Sequence, residues 1–392
     1  MKKNKLLILL SIIIFSLNNL FAISFEYHIF ETRTNMEFAN GVFPTSLLYQ
    51  FNFPIPELIP GQTTDINFRL DNGLDFRTIR QNPETGKLLI EEPLSHPIDY
   101  LTLYDEMNIV LGQGFLRNSL SNKDTLKIWT TVDLRFENAF ESFDYLKDPS
   151  NIEGLFNKNP MSDKGPATPR YTTWIGQPEL TGDRSTINLS LSLGFDVNYM
   201  EDKITRRNGV KNSFWIRLNP KWFDAFNDNT QDFILIWDKL DLAFTPFALK
   251  MNGSRDTTWL SLVLDNSTTF KFIKGAKVPY YVQGGYIFGA QAINTENIIT
   301  NRTALTLYGP QINSYDCYPY ISTFFDFGLS FGKLLNSNSS QSYFDFIYSI
   351  GGKAEFILFN IASIYCEIGY VFQNTLKQPS QPIFRFGFTF GV

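Results

Sequence analysis

The stretch Phe384-Arg385-Phe386-Gly387-Phe388-Thr389-Phe390-Gly391-Val392 places a large apolar side chain at every second position and a small or polar one between. A β-strand turns successive side chains to opposite faces, so Phe384, Phe386, Phe388, Phe390 and Val392 form one apolar stripe. Arg385, Gly387, Thr389 and Gly391 lie on the other side. In water such a stripe is an aggregation hazard, so protein or lipid must cover it.

The same two-faced pattern recurs upstream. Ile66, Phe68, Leu70, Leu74 and Phe76 stand opposite Asp65, Arg69, Asp71, Asp75 and Arg77, and Ile128, Val132, Leu134 and Phe136 stand opposite Lys127, Asp133, Arg135 and Glu137. Ile187 to Tyr199 alternates with a polar series that includes Asp196. Phe325, Phe327, Leu329 and Phe331 oppose Asp326; Phe344, Phe346, Tyr348, Ile350, Phe356 and Leu358 oppose Asp345, Lys353 and Glu355; Ile364, Ile368, Tyr370 and Phe372 oppose Glu367. With Arg385, seven segments place sixteen charges on one face and none on the other. A lipid-covered face demands this, because Lys or Arg at a bilayer midplane costs about 2–4 kcal/mol. A soluble β-sandwich or small soluble barrel would also alternate, with its apolar face turned to a core. The 38 Phe and 18 Tyr, many of them on the apolar face, and the absence of helix-period segments favour lipid.

The terminal strand resembles that of the bacterial outer-membrane β-barrels, whose last strand carries alternating apolar residues and an aromatic-rich end read by the assembly machinery. The family pattern ends in Phe; here Val392 stands last and the aromatic run stops at Phe390. The resemblance implies an all-β, transmembrane antiparallel barrel, an outer-membrane location, and outer-membrane lipid, the barrel-assembly machinery and periplasmic chaperones as partners.

Lys2, Lys3 and Lys5 precede the apolar run Leu6 to Leu17 and then Asn18, Asn19, Leu20, Phe21 and Ala22, the layout of a cleaved signal peptide at 1–22 ahead of a barrel at 23–392, the alternative being a retained anchor. No later run is long enough for a membrane helix. Without the three leader lysines, 31 basic residues face 39 acidic ones, which speaks against nucleic acid as a partner. Cys317 and Cys366, the only cysteines, read as two unpaired thiols, since Cys366 falls on an apolar face, the alternative being a disulfide in an exported protein.

Strands are expected at 23–31, 62–78, 100–116, 125–138, 186–200, 211–218, 233–250, 257–272, 278–293, 301–309, 319–332, 343–358, 361–372 and 383–392, about 14 within a range of 12 to 16. The Pro-rich segment 32–61 reads as a loop with a partial strand, the alternative being an inserted hatch. Segment 139–185 carries Pro149, Pro160, Pro166, Pro169 and Pro178 and reads as a long irregular loop. Counting back from Val392 puts that loop at the short-turn end of the barrel, unless a further strand near Tyr171 to Ile175 reverses the parity.

The sixteen inward charges read as pore-lining groups, and the expected function is a polar, water-lined channel for a small solute. The alternatives are a transporter of hydrophobic compounds of the fatty-acid type, and a surface adhesin or structural barrel whose charges pair across strands and leave no open pore. Loops 79–99, 201–210 and 294–303 are the candidates for surface contact. His28 and His96 are the only imidazoles and belong to no recognisable catalytic motif. Gly112-Gln113-Gly114 lacks a following Gly-Lys-Ser, and no cluster has metal-ligand spacing, so neither a cofactor nor an enzyme is implied.

Overall fold

Period-two patterning yields strands from end to end. The computed structural model describes residues 22–34, 45–54, 58–59, 62–79, 98–117, 124–140, 185–201, 205–219, 232–250, 258–278, 282–288, 290–291, 294–310, 317–335, 342–358, 362–373 and 381–390. The first seven strands are β1 (Ala22–Thr34), β2 (Thr45–Pro54), β3 (Thr64–Ile79), β4 (Ile98–Arg117), β5 (Asp124–Phe140), β6 (Ser185–Asn198) and β7 (Gly209–Asn219). After β8 (Asp232–Lys250) and β9 (Thr258–Lys277) come two short strands, β10 (Tyr286–Ile287) and β11 (Ala290–Gln291). The last five are β12 (Thr295–Tyr308), β13 (Tyr318–Leu334), β14 (Ser342–Leu358), β15 (Ala362–Gln373) and β16 (Gln381–Phe390).

All except β10 and β11 join one closed antiparallel barrel of fourteen strands, in which each strand pairs with its sequence neighbours and β9 pairs directly with β12. β1 closes on β16 from Tyr27 opposite Phe390 to Thr34 opposite Phe384, with one register shift between Ile29 and Thr32. Closure satisfies the N–H and C=O groups that an open sheet leaves bare along two edges. With strands about 4.8 Å apart and tilted by about 40°, the backbone radius is roughly 14 Å, too wide for wall side chains alone to fill.

Sidedness follows the alternation. On β13 and β14, Phe324, Asp326, Ser330, Asp345, Ile347 and Ser349 are buried toward the lumen, while Ile321, Phe325, Phe344, Phe346 and Ile350 are exposed on the outer surface. Ile128, Val132, Leu191, Leu193, Leu264, Leu305, Ile368, Phe384 and Phe386 continue this outer apolar belt. The side chains of Phe388 and Phe390, and all of Val392, lie outside the described residues. Cys366 lies on the outward side of β15 and Cys317 is buried just before β13; no disulfide joins them.

Two strand expectations are corrected, and together they keep the count. Segment 278–293 is not a wall strand: Gly284, at a φ of 80°, and Gly285 break the run, and among its described residues the hairpin β10–β11 is the one strand pairing. Residues 45–54, expected as part of a loop or hatch, are the wall strand β2, paired with both β1 and β3. Removing one strand after β9 reverses the parity of everything before it. Connections 55–63, 118–123, 199–208, 251–257, 309–317 and 359–361 therefore share the end that holds the start of β1 and the end of β16. Connections 35–44, 80–97, 141–184, 220–231, 278–294, 335–341 and 374–380 lie at the opposite end. The long segment thus leaves from the long-loop end, contrary to the parity expected from sequence; 141–184, including Tyr171 to Ile175, lies outside the described residues. Of the expected surface loops, 294–303 is largely β12, and 201–210 sits at the end opposite the long loops.

Phe325 stands midway along β13 on the outer face. Phe325→Arg should lower stability in phospholipid vesicles by about 2–4 kcal/mol, measured by urea unfolding followed through tryptophan fluorescence. An unchanged midpoint would mean that this face does not meet hydrocarbon.

Candidate functional site

The lumen-facing wall is polar by the same alternation that makes the outside apolar, and its charges are gathered into ladders. On β4 to β7, Arg135 Nη1 lies 2.6 Å from Glu106 Oε2, and Arg217 Nη2 lies 3.2 Å from Asp133 Oδ2. Ser192 Oγ donates to the same Asp133 oxygen at 3.0 Å, and Arg217 Nε donates to Ser192 Oγ at 3.3 Å. Nearer the other end, Lys127 Nζ reaches across β4 to Asp65 Oδ1 at 2.7 Å. It can do so because Gly112 lies between them; any Cβ there would collide with Lys127.

A second ladder crosses β12 to β16. Arg302 Nε donates to Asp326 Oδ1 at 2.9 Å and its Nη2 to Glu367 Oε1 at 2.7 Å; Arg385 Nη1 sits 3.7 Å from Glu367 Oε2. Lys353 pairs with Glu355, which also accepts the hydroxyl of Tyr320. Lys353 Nζ lies 4.6 Å from the ring centre of Tyr365.

Between these ladders the lumen holds part of the chain itself. The described residues of 278–294 leave β9 at the long-loop end and pack against the inner wall. Val278 and Val282 join Phe233 and Leu235 of β8 and Ile273 of β9 in one apolar cluster, with Trp215 of β7 against it. Ile287 and Phe288 join Ile298, Phe324, Ile347, Val371 and Ile383, one residue from each of β12 to β16. The Phe288 ring meets Phe324 edge-on at 5.1 Å and lies 4.6 Å from the Arg385 guanidinium carbon. It rests over Gly369, where a Cβ would come within 2.6 Å of the ring. Two polar bonds pin the backbone: Phe288 N–H donates to Asp326 Oδ2 at 3.1 Å, and Lys271 Nζ donates to the Gly284 carbonyl at 3.1 Å. Full burial of a Phe side chain contributes about 1.5–3 kcal/mol, so this seat is a firm one.

Of the sixteen charges expected to line the lumen, Asp65, Asp71, Lys127, Asp133, Arg135, Asp196, Asp326, Asp345, Lys353, Glu355, Glu367 and Arg385 lie on the lumen side of their strands with Arg69, which pairs with Asp71 at 3.4 Å. The side chains of Asp75, Arg77 and Glu137 lie outside the described residues, as do the side chain of His28 and the whole of His96. Sequence reasoning missed the partners Glu106, Arg217 and Arg302, and the apolar seat. The parity of Arg302 against Leu305 was available in the sequence. The seat too had a signal: Ile347 and Val371 make their strands apolar on both faces. Among the described residues, the outer face also carries the mid-strand carboxylates Asp105 of β4 and Asp238 of β8. Asp105 accepts a bond from Asn72, and Asp238 Oδ1 accepts one from Asn212 at 2.6 Å.

No protein family matches the sequence, and no curated protein matches it. Among solved structures, the chain is similar to BamA from Haemophilus ducreyi lacking POTRA domains 1–3, at 11% identity over 95% of this chain and 70% of that one, with a TM-score of 0.46. It is similar to CdiB from Escherichia coli at 12% identity over 94% of this chain and 63% of that one, TM-score 0.49. For CdiB from Acinetobacter baumannii the values are 10%, 94% and 60%, with a TM-score of 0.45. The chain thus spans less than two thirds of both CdiB chains. The barrel itself is defined by its strand pairing.

Arg217→Met leaves the Asp133 carboxylate, 5% exposed, without its cation. It should destabilise the barrel by about 3 kcal/mol, and adding Asp133→Asn should recover most of that loss in a double-mutant cycle. Additive single effects would show that the two groups do not interact.

Proposed function

We propose that this protein is a bacterial outer-membrane barrel, exported through the leader at 1–22, that passes small polar solutes through a lumen narrowed by residues 278–294. The observation that carries this reading is the combination of a closed fourteen-strand ring, an apolar exterior and a charged interior too wide to be filled by its own wall. No helix among the described residues is long and apolar enough to cross a membrane. The strands can cross it, because the ring leaves no backbone edge for hydrocarbon to meet. Longer loops at one end and shorter turns at the other fit the usual orientation, with both ends of the chain in the periplasm.

The wall chemistry bears on the solute. Asp65, Glu106, Asp133, Asp326 and Glu367 each face a Lys or Arg within 4 Å, so these ladders present alternating charge and little net field. Such a wall suits neutral or zwitterionic polar molecules and discriminates weakly between anions and cations. A hydrophobic-compound route has less support. The large apolar clusters of the inner wall are covered by the chain's own Val282, Ile287 and Phe288, and the stretch considered as a hatch contains β2. Assembly machinery, periplasmic chaperones and outer-membrane lipid are the partners this reading requires.

Planar lipid bilayers test the proposal. The refolded protein should give discrete conductance steps with a reversal potential near zero in a salt gradient, and a correctly inserted barrel that gives no steps would refute a channel. Replacing Val282–Gln291 with a short Gly-Ser linker should raise the single-channel conductance severalfold, while Phe288→Ala, which only loosens the seat, should add flicker at an unchanged mean step. Equal conductance in the linker variant would show that the segment does not narrow the path.

A further inference from the structure

Besides the outward carboxylates Asp105 and Asp238, the arc of β9 and β12 interrupts the apolar belt with uncharged polar side chains. On β9, Asn266 and Thr268 stand between Leu264 and Phe270; on β12, Asn301 and Thr303 stand between Leu305 and Ile299. The two strands pair so that Thr303 lies opposite Asn266 and Asn301 opposite Thr268. All four side chains lie on the outward side of their strands, midway along them, with Asn301 buried among its neighbours and the other three half-buried. Asn266 Nδ2 donates to Thr303 Oγ1 at 2.8 Å; Asn301 Nδ2 donates to Thr268 Oγ1 at 2.7 Å and to Asn266 Oδ1 at 3.2 Å. Thr268 Oγ1 donates to Asn266 Oδ1, and Thr303 Oγ1 to Asn301 Oδ1, each at 3.2 Å. Five bonds thus tie four side chains into one network.

Amides in hydrocarbon are costly even when bonded, because each still has donor and acceptor capacity that lipid tails cannot meet. Here the second N–H of Asn266 is not used within the network. The outward faces of β13 to β16 carry instead Phe325, Phe346, Ile350, Ile368 and Phe386, which lipid covers without loss. We infer that the arc of β9 and β12 is an interface between copies of this chain, with the amide network as its centre. The membrane supplies the reason for a second copy. Two copies inserted in the same direction and related by a two-fold axis along the bilayer normal keep every residue at its own depth and turn the same patch toward each other, so network meets network. Amides and hydroxyls are each both donor and acceptor, so that surface is complementary to itself. Contact removes it from lipid and lets the amides bond across the interface.

The inference rests on the outer belt being lipid-facing, as proposed above. The experiment is native mass spectrometry of the full chain, extracted from membranes into polymer nanodiscs. The expected result is two chains per particle for the wild type, and one chain for Asn266→Leu/Asn301→Leu with heat-modifiable gel migration retained. A single wild-type chain per nanodisc, or an unchanged copy number in the variant, overturns the interface while leaving the membrane reading intact. Recovery of the wild type only in the aqueous fraction overturns both. Should the variant fail to insert, a photo-reactive benzoyl-phenylalanine at Leu305 in the otherwise wild-type chain decides. A cross-link at twice the chain mass from Leu305, and none from Ile350 on β14, supports the interface. No cross-link from Leu305, or one to a different protein, overturns it.

Discussion

The constraint on which the structure depends is that no strand of the wall has a free edge. Pairing β1 with β16 turns a sheet of fourteen strands into a ring, and the ring alone makes it possible for an apolar surface to face outward and a polar one inward without stranded backbone groups. Were that one seam open, the two bare edges would either bind other strands or bury unpaired amides in hydrocarbon. Everything else, from the belt of Phe and Ile to the charge ladders, is a consequence of having an inside and an outside.

Having an inside creates a second problem, which the chain solves with its own residues. A ring this wide cannot be filled by side chains, and Val278, Val282, Ile287 and Phe288 of the connection between β9 and β12 lie within it. Its anchorage is mixed. Phe288 is held by ring contacts and a glycine cradle, while its N–H goes to Asp326, a carboxylate that also serves Arg302. The inserted segment and the β12–β16 ladder are therefore one hydrogen-bonded unit: Asp326 links the wall's ion pairs to the backbone of the insert. Apolar residues appear on the lumen side where this segment lies, so the departures from strict alternation on β8, β9, β14 and β15 are its footprint.

The ion pairs carry a different lesson about the wall. Arg217 and Asp133, or Arg302 with Asp326 and Glu367, come from different strands, and each charge is tolerated near the lumen because its partner stands opposite. Desolvation makes such pairs weak sources of stability but strong penalties when broken, so they constrain which strand lies beside which. Gly112 shows the same coupling at the level of a single atom, since the Lys127 side chain passes where its Cβ would be.

What the sequence by itself determined is sidedness. Alternation is a property of adjacent residues, and it located most wall strands, their outward phenylalanines and their inward charges without reference to anything distant. It also misread 278–293, whose alternation is real but whose Gly284-Gly285 pair bends it out of the wall, and it passed over 45–54, a true strand that Pro44 precedes and Pro54 ends. Those two misreadings cancelled in the strand count and not in the topology. Which end the long segment leaves from, which cation meets which carboxylate, and which part of the chain occupies the lumen were decided only by the tertiary structure. The physical reason is that they depend on the parity and closure of the whole ring, a global condition that no local period encodes.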